Sequence, residues 1–324
     1  MSSETMRAAT ARRYGGPEVM AIETLPRPVA GPGQLLIRTA AFGVTRGDAR
    51  IRGLDVPRGM GGLMRLIFGL TRPRRPIQGR EFAGVVAALG DGVTGWTVGD
   101  AVMGITPGMR LSAGAEYCTM PADGRLTRRP DTLTPEEAAG YFFGLLTAAD
   151  FLLDQAKLQP DERVLINGAS GAVGIAAVWL AKHLGAQVTA VCSPANHDFA
   201  RRFGADLTAD YARPLPAGPF DVVLDVAGTL PYSRAKPLLA DGGRLALITA
   251  DLKGQLGANL RPRRGTHQLL AGVTKETPAA LTRALAFHAQ GYRPPITALP
   301  LTDIQQAHLH ASTGHKHGNV VVTL

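Results

Sequence analysis

Cysteine is nearly absent: Cys118 and Cys192 are the only two among 324 residues. A chain with two thiols builds neither a disulfide framework nor a four-thiolate zinc site. So low a count fits a reducing, cytoplasmic setting. Long apolar runs are missing too. The most apolar stretch, Val164 to Ala181, is broken by glycines, whereas a spanning helix needs about 20 continuous apolar residues. No integral membrane contact is expected. The opening Met1-Ser2-Ser3-Glu4-Thr5 lacks a charged-then-apolar pattern, so no secretory signal is expected. Acidic residues are outnumbered, 26 against 35 basic ones, for a net charge of +9. Arg58, Arg65, Arg72, Arg74 and Arg75 form one basic patch, and Arg261, Arg263 and Arg264 another. A nucleic-acid surface is one reading of such patches. No aromatic interleaving or recognition motif accompanies them, so a basic enzyme with solvated arginines is preferred and no nucleic-acid partner is expected.

What is present is ample core material. Hydrophobic residues make up 45% and charged residues 19%, which excludes a disordered chain. Domains commonly run roughly 100–200 residues, so two are expected. The first third reads as short strands, Gln34 to Ala40 and Glu81 to Leu89 among them, with a turn at Val98-Gly99-Asp100. That spacing predicts a small, mostly antiparallel barrel. The texture changes near Pro135, where Thr134 can cap a helix. Strand and helix then alternate: Arg163 to Asn167, the helical spacing Val173-Ala176-Ala177-Leu180-Leu184, Gln187 to Cys192, a helix from Asp198 to Phe203, Phe220 to Val226, a helical Pro231 to Leu239, and Gly243 to Thr249. Alternation of this kind predicts a parallel, doubly wound sheet. A helix over Thr302 to Ser312 and a strand over Asn319 to Leu324 close the chain, the strand rejoining the first domain,. The segment Gly59 to Pro76 reads as a short amphipathic helix followed by a basic, proline-stiffened loop. It is either a packed insertion or a lid over a substrate site, ahead of a membrane-surface contact.

The chemistry is concentrated in Val164-Leu165-Ile166-Asn167-Gly168-Ala169-Ser170-Gly171-Ala172-Val173-Gly174. A buried strand enters a glycine-rich turn and then a helix. Backbone amides of Ala169, Ser170, Gly171, Ala172, Val173 and Gly174 at a helix N-terminus suit a pyrophosphate. Gly171 permits close approach, and Gly174 lets the helix pack on the sheet. Ala169 stands where the first glycine of the fingerprint usually falls. NAD-selective sites carry an acid about 20 residues on. Here the strand ends Val191-Cys192-Ser193 without one, and Ser193 can donate to a 2′-phosphate. NADPH is therefore favoured over NADH. His308, His310, His315 and His317 are a weak metal candidate, because helix positions two apart face different ways. Ser170 lacks the spacing of a hydrolase elbow. No metal site is expected.

Several segments together carry a resemblance. They are the glycine turn, Val191-Cys192-Ser193, Phe203-Gly204-Ala205-Asp206, Phe220-Asp221-Val222-Val223-Leu224-Asp225-Val226-Ala227-Gly228, Gly79-Arg80-Glu81-Phe82-Ala83-Gly84, Val98-Gly99-Asp100 and Gly318-Asn319-Val320-Val321-Val322. Over nearly its whole length the chain resembles the zinc-independent quinone-oxidoreductase (zeta-crystallin-like) branch of the medium-chain dehydrogenases. The resemblance implies an α/β protein: a GroES-like β-barrel catalytic domain over residues 1–130, completed by 290–324, and a Rossmann doubly wound parallel sheet over 131–289, with the active site in the cleft between them. Zinc-dependent members carry a Cys near Gly43 to Asp48 and a His after Gly79. This sequence has no Cys there and has Arg80 at the His position, so no zinc is expected and catalysis would rest on positioning.

The resemblance also places Thr45 beside the nicotinamide, Thr147 and Asn319 on the cofactor side, and Tyr211 near the adenosine phosphate. The Tyr that donates a proton in related enoyl reductases is missing after Ile51-Arg52-Gly53. Tyr141 and Asp48 are the remaining acid candidates, with water as the alternative and a structural turn role open for Asp48. The expected activity is hydride transfer from NADPH to a small electrophile, a quinone, enone or carbonyl compound. The rival is a catalytically weak NADPH-binding sensor or interaction protein of the same fold. A homodimer is implied by the resemblance alone.

Overall fold

The computed structural model describes residues 4–55, 61–107, 111–249, 263–313 and 317–324. Apolar side chains on both faces make Gln34–Val44 (β3) the longest strand. A bulge after Thr39, with Ala40 as the extra residue, bends it, while the shift opposite Leu36 and Ile37 has its extra residue, Ala87, on the partner strand,. The bend gives one edge two partners: residues 34–38 pair with Tyr117–Pro121 (β6), and residues 41–44 pair with Asn319–Thr323 (β16). Glu81–Leu89 (β4) pairs along the other edge. Ala101–Ile105 (β5), Leu126–Arg128 (β7) and Ile296–Pro300 (β15) complete the order β15-β16-β3-β4-β5-β7. Only β15 with β16 is parallel. The C-terminal strand thus lies inside the sheet begun by the N-terminal third. Leu35, Ile37, Phe42, Phe82 and Met120 are fully buried in its core. Thr5–Ala11 (β1) and Met20–Pro26 (β2) form a separate antiparallel pair.

Arg163–Asn167 (β8), Gln187–Cys192 (β9), Leu207–Asp210 (β10), Phe220–Asp225 (β11), Leu239–Leu247 (β12) and His267–Ala271 (β14) form a second sheet. Its order is β10-β9-β8-β11-β12-β14, all parallel, with the two-residue Arg263–Arg264 (β13) antiparallel at the edge. Val164, Leu165, Ile166, Val222, Val223 and Leu224 are wholly buried. Such unbroken apolar runs belong to strands covered on both faces. The order reverses between β8 and β11, the switch point where open α/β sheets bind ligands.

By its contacts the chain forms two units. One ends at residue 143 and resumes at 276; the other runs from 144 to 275. The expected limits were 130/131 and 289/290; residues 131–143 and the helix Pro278–Ala289 group with the first unit. Thr134 caps the helix Pro135–Ala139 by a reciprocal box with Glu137. The helix expected over Pro231 to Leu239 shrinks to Tyr232–Ala235 plus one 3₁₀ turn. Pro237 has no N–H to continue it, and β12 begins at Leu239 rather than Gly243.

Candidate functional site

The glycine turn links β8 to the helix Ala172–His183 (α5). Gly168 adopts φ +85°, a conformation that favours glycine,. Its amide and that of Ala169 donate to the Val191 carbonyl at 3.0 and 3.1 Å, fixing the turn to β9. A Cβ at Gly174 would fall 2.1 Å from the Gly168 oxygen. That glycine is required by helix-on-turn packing. Gly171 is different. It is the N-cap of α5 with φ −76°, and a Cβ there would meet no protein atom closer than 3.8 Å. Among the described residues nothing crowds a side chain at that position. No side chain caps α5, and its first turn holds no acid. The residues present fit a pyrophosphate: an uncapped, positive helix end without an acid in its first turn and, among the described residues, one missing Cβ facing open space,.

At the end of β9, Ser193 is half-buried and opens the 3₁₀ turn Pro194–Asn196. Arg201 is held by Asp198 at 2.8 Å and Thr208 at 2.7 Å. One acid escaped the sequence reading. Asp210 lies level with Cys192 on the neighbouring β10, which parallel register would have revealed. Its Oδ1 accepts from Ala212 N at 2.9 Å. Burial pushes the Cys192 thiol up to about 11; Arg201 outweighs Asp210 among the charges it feels. Tyr211, next to Asp210, is 53% exposed. Thr147 is buried, in the helix Phe142–Ala149 (α4), and its hydroxyl accepts from Thr274 Oγ1 at 3.4 Å.

In the other unit Thr45 caps the helix Arg46–Gly53 (α1). Its Oγ1 donates to Asp48 Oδ2 at 2.6 Å, its amide donates to the same oxygen at 2.8 Å, and Asp48 N donates back to Oγ1 at 3.2 Å. Asp48 is 1% exposed. The structure therefore joins these two candidates in one capping box, in which Asp48 is an acceptor. Glu81, the lone acid opening an otherwise apolar strand, was not singled out from sequence. It is buried, accepts from Phe142 N and, at 3.2 Å, from Phe143 N, and caps α4. Burial pushes its carboxyl up to about 8 against the pull of those two amides. Its neighbour Arg80 donates to Glu276 Oε2 at 2.6 Å, and Arg125 donates to the same oxygen at 2.6 Å.

Tyr141 corrects an expectation. Its ring is fully buried in edge contact with Phe142, Tyr292 and His288, and its hydroxyl donates to the Ala284 carbonyl at 3.0 Å. Burial raises the pKa of that hydroxyl. The proton is committed to the core, so Tyr141 is a packing residue. Asn319 is buried at the start of β16, with its amide donating to Pro295 O at 2.9 Å. His308 is wholly buried, and His310 faces Gln306 at 2.9 Å. Among the described residues no three His, Cys, Asp or Glu side chains gather as metal ligands. Arg58, Gly59, Met60, Arg261 and His315 lie outside the described residues. No described helix is long and apolar enough to cross a membrane.

Comparison with known proteins agrees with this architecture. Residues 31–158 match the alcohol dehydrogenase GroES-like domain family, and residues 203–322 the zinc-binding dehydrogenase family. A chloroplastic quinone-oxidoreductase of Triphysaria versicolor is 31% identical over 268 residues, covering 77% of this chain and 76% of that protein. A polyketide synthase of Streptomyces halstedii is 38% identical over 179 residues, 53% of this chain but 3% of the synthase, so the chain spans a small part of that relative. Among solved structures, the quinone oxidoreductase of Coxiella burnetii superposes with a TM-score of 0.87 at 24% identity, over 99% of this chain and 100% of that one. A mycobacterial protein solved in complex with NADPH gives 0.79 at 26%, over 98% and 100%. With a GroES-like unit and a nicotinamide-binding Rossmann unit, the chain belongs to the medium-chain dehydrogenase/reductase superfamily, in its quinone-oxidoreductase branch of oxidoreductases.

Proposed function

We propose that the protein is a zinc-independent oxidoreductase that uses NADPH in preference to NADH to reduce a small quinone, enone or other carbonyl acceptor. The observation that carries this reading is the glycine turn between β8 and α5, whose helix head has no capping side chain and no acid in its first turn. The amides at the head of α5, from Ser170 to Gly174, would hold the pyrophosphate, with Ala169, its own amide bonded to Val191, shaping the turn,. Ser193 would donate to the 2′-phosphate, and Thr147 and Tyr211 are the flanking contacts. A bound reduced nicotinamide supplies a hydride.

The chain's own part is electrostatic and positional. The Arg80 guanidinium, paired with Glu276, has no lone pair to offer a metal,. That supports the zinc-independent reading. Thr45 presents a polar group at the head of α1, oriented by Asp48. With Tyr141 withdrawn into the core, water is the proton source. A cytoplasmic homodimer, formed along an edge of the doubly wound sheet, completes the proposal; light scattering tests it.

The direct test is to mix the protein with NADPH and a panel of quinones, enones and aldehydes and to follow loss of nicotinamide absorbance. Turnover with at least one class is expected. Tight NADPH binding without turnover on any acceptor would favour a sensor or interaction protein instead. Absence of binding would remove both readings.

A further inference from the structure

From Val56 to Gln78 the sequence carries five arginines and no acidic residue. The described part of this segment is the helix Gly61–Phe68 (α2) and the loop after it. The loop is pinned at many points. Gly69, at φ +132°, turns so sharply that a Cβ there would fall 1.9 Å from the Arg72 oxygen. Tyr14 Oη donates to the Gly69 carbonyl at 2.8 Å, and Arg65 Nη1 donates to the Leu70 carbonyl at 2.7 Å. Arg74 N donates to Phe68 O at 2.7 Å, and Ala11 N donates to Pro76 O at 2.8 Å. Ile77 bridges Thr10 of β1. Pro73 and Pro76 stiffen what remains.

This pinned loop separates two surface pockets that share Pro73 and Arg74. One, of about 290 Å³, has an apolar wall of Ile51, Ile67, Phe68 and Leu111 and a cationic rim of Arg74 and Arg75. The other, of about 470 Å³, is edged by Arg12, Arg72 and Arg74. Arg12 is bonded through both Nε and Nη2 to Glu23, so its charge is spent. Arg72, Arg74 and Arg75 form no ion pair among the described residues. Three unpaired guanidiniums on a fixed loop, one side of it apolar, make a receptor for an anion with a greasy body. The smaller pocket is too small for a nucleic-acid strand and of a size for a small molecule. Ile51, in its wall, lies six residues along α1 from Thr45, about 9 Å by helical rise.

We propose that the pocket beside α2 selects acceptors that carry a carboxylate or phosphate at the end of a short apolar body, with Arg74 and Arg75 as the anion contacts. The proposal rests on the acceptor-reductase reading and names its substrate class. The apolar body lies on Ile51, Ile67, Phe68 and Leu111, with the electron-poor carbon toward the Thr45 end of α1. The anionic group is unchanged by the reaction.

Two measurements test it. In the first, NADPH-dependent reduction is compared for an enone carrying a carboxylate at the far end of a short alkyl chain, its methyl ester, and the same enone ending in a phosphate monoester. The ester's KM is expected to exceed that of the anions by roughly tenfold, as for loss of one charge-assisted contact. In an Arg74→Gln/Arg75→Gln variant the KM difference between ester and anions should vanish. Those side chains make no hydrogen bond or ion pair among the described residues, so the fold should survive. Carboxylate and phosphate arms identify which anion is preferred. In the second, calorimetry measures binding of the saturated, non-reducible carboxylate and phosphate to parent and variant. Binding that weakens roughly tenfold in the variant supports the site, whether or not any enone turns over. Arginine-dependent binding without turnover would sink the reductase reading and leave the anion site. Turnover with equal KM for ester and anions, or equal or absent binding in parent and variant, would overturn the anion site and leave the reductase.

Discussion

Asn167 and Asp225 lie level with each other at the carboxyl ends of β8 and β11, and Asn167 Nδ2 donates to Asp225 Oδ1 at 2.8 Å. This pair ties together the two strands at which the sheet order reverses. Asp225 also accepts from Gly228 N and Leu230 N, both at 2.9 Å, so it shapes the loop leaving β11. Asn167 in turn donates to Thr229 Oγ1 at 2.9 Å.

Replacing Asp225 by Ala would strip the acceptor from four donors at once, Asn167 Nδ2 and the amides of Gly228, Thr229 and Leu230. Each orphaned donor costs about 1–3 kcal/mol, less where water can enter. A loss of about 3 kcal/mol in denaturant unfolding is expected for Asp225→Ala, with weaker NADPH binding by calorimetry. A variant as stable as the parent would mean that the loop finds its own bonds without this carboxylate.

Two glycines three residues apart should behave in opposite ways. At Gly174 a Cβ would collide with backbone at 2.1 Å, so Gly174→Ala should lower Tm in the absence of any ligand,. At Gly171 a Cβ fits, so Gly171→Ala should leave Tm nearly unchanged and weaken NADPH by at least roughly tenfold,. Equal NADPH affinity in Gly171→Ala and parent would show that the open face is not where the phosphates lie.

The sequence made this turn readable because three signals coincide over Val164 to Gly174: a continuous apolar strand, glycines at the bend, and helical spacing beyond,. The parallel sheet followed from alternation alone. Less legible were features that depend on distant partners. Glu81 meets Phe142 and Phe143 some 60 residues on, and Asp210 meets Cys192 only through strand register. Tyr141 looked like a proton donor because a tyrosine's chemistry is visible in sequence but its burial against Ala284 is not. The helix α1 was missed because Arg-Gly-Asp-Ala-Arg-Ile-Arg-Gly is flanked by glycine and shows little periodicity,. Its capping pair, Thr45 and Asp48, was the signal that would have found it.

Cofactor choice should turn on the residue after β9. Ser193→Asp puts a carboxylate where the proposed site meets a 2′-phosphate, and like charges repel. NADPH KM is expected to rise at least roughly tenfold while NADH KM holds or falls, because the acid can bond a ribose 2′-hydroxyl. Steady-state kinetics with both nucleotides reads the ratio. An unchanged ratio would place the phosphate elsewhere.

Tyr141→Phe removes one hydroxyl and keeps the ring among Phe142, Tyr292 and His288. The Ala284 carbonyl loses its donor, which costs about 1–2 kcal/mol of stability. Turnover should be unaffected, since no proton is drawn from this group. A drop in kcat of more than roughly tenfold, without a matching loss of folded protein, would return Tyr141 to the chemistry.

Glu81 should make stability depend on pH between about 4.5 and about 8. Burial raises its carboxyl, and Asp48 and Glu276 add to the rise, against two amide donors that favour the anion. The folded state therefore keeps its proton where the unfolded chain has already lost it. The stabilising effect is full below about 4.5 and is lost as pH rises through about 8,. Within that window one proton gives a fall of up to about 1.4 kcal/mol per pH unit. Glu81→Gln cannot titrate, so its unfolding free energy should vary less steeply with pH than the parent's, whatever its absolute value. Parallel curves for parent and variant from pH 5 to 8 would show that Glu81 is ionised in the fold, with the amides of Phe142 and Phe143 winning over burial.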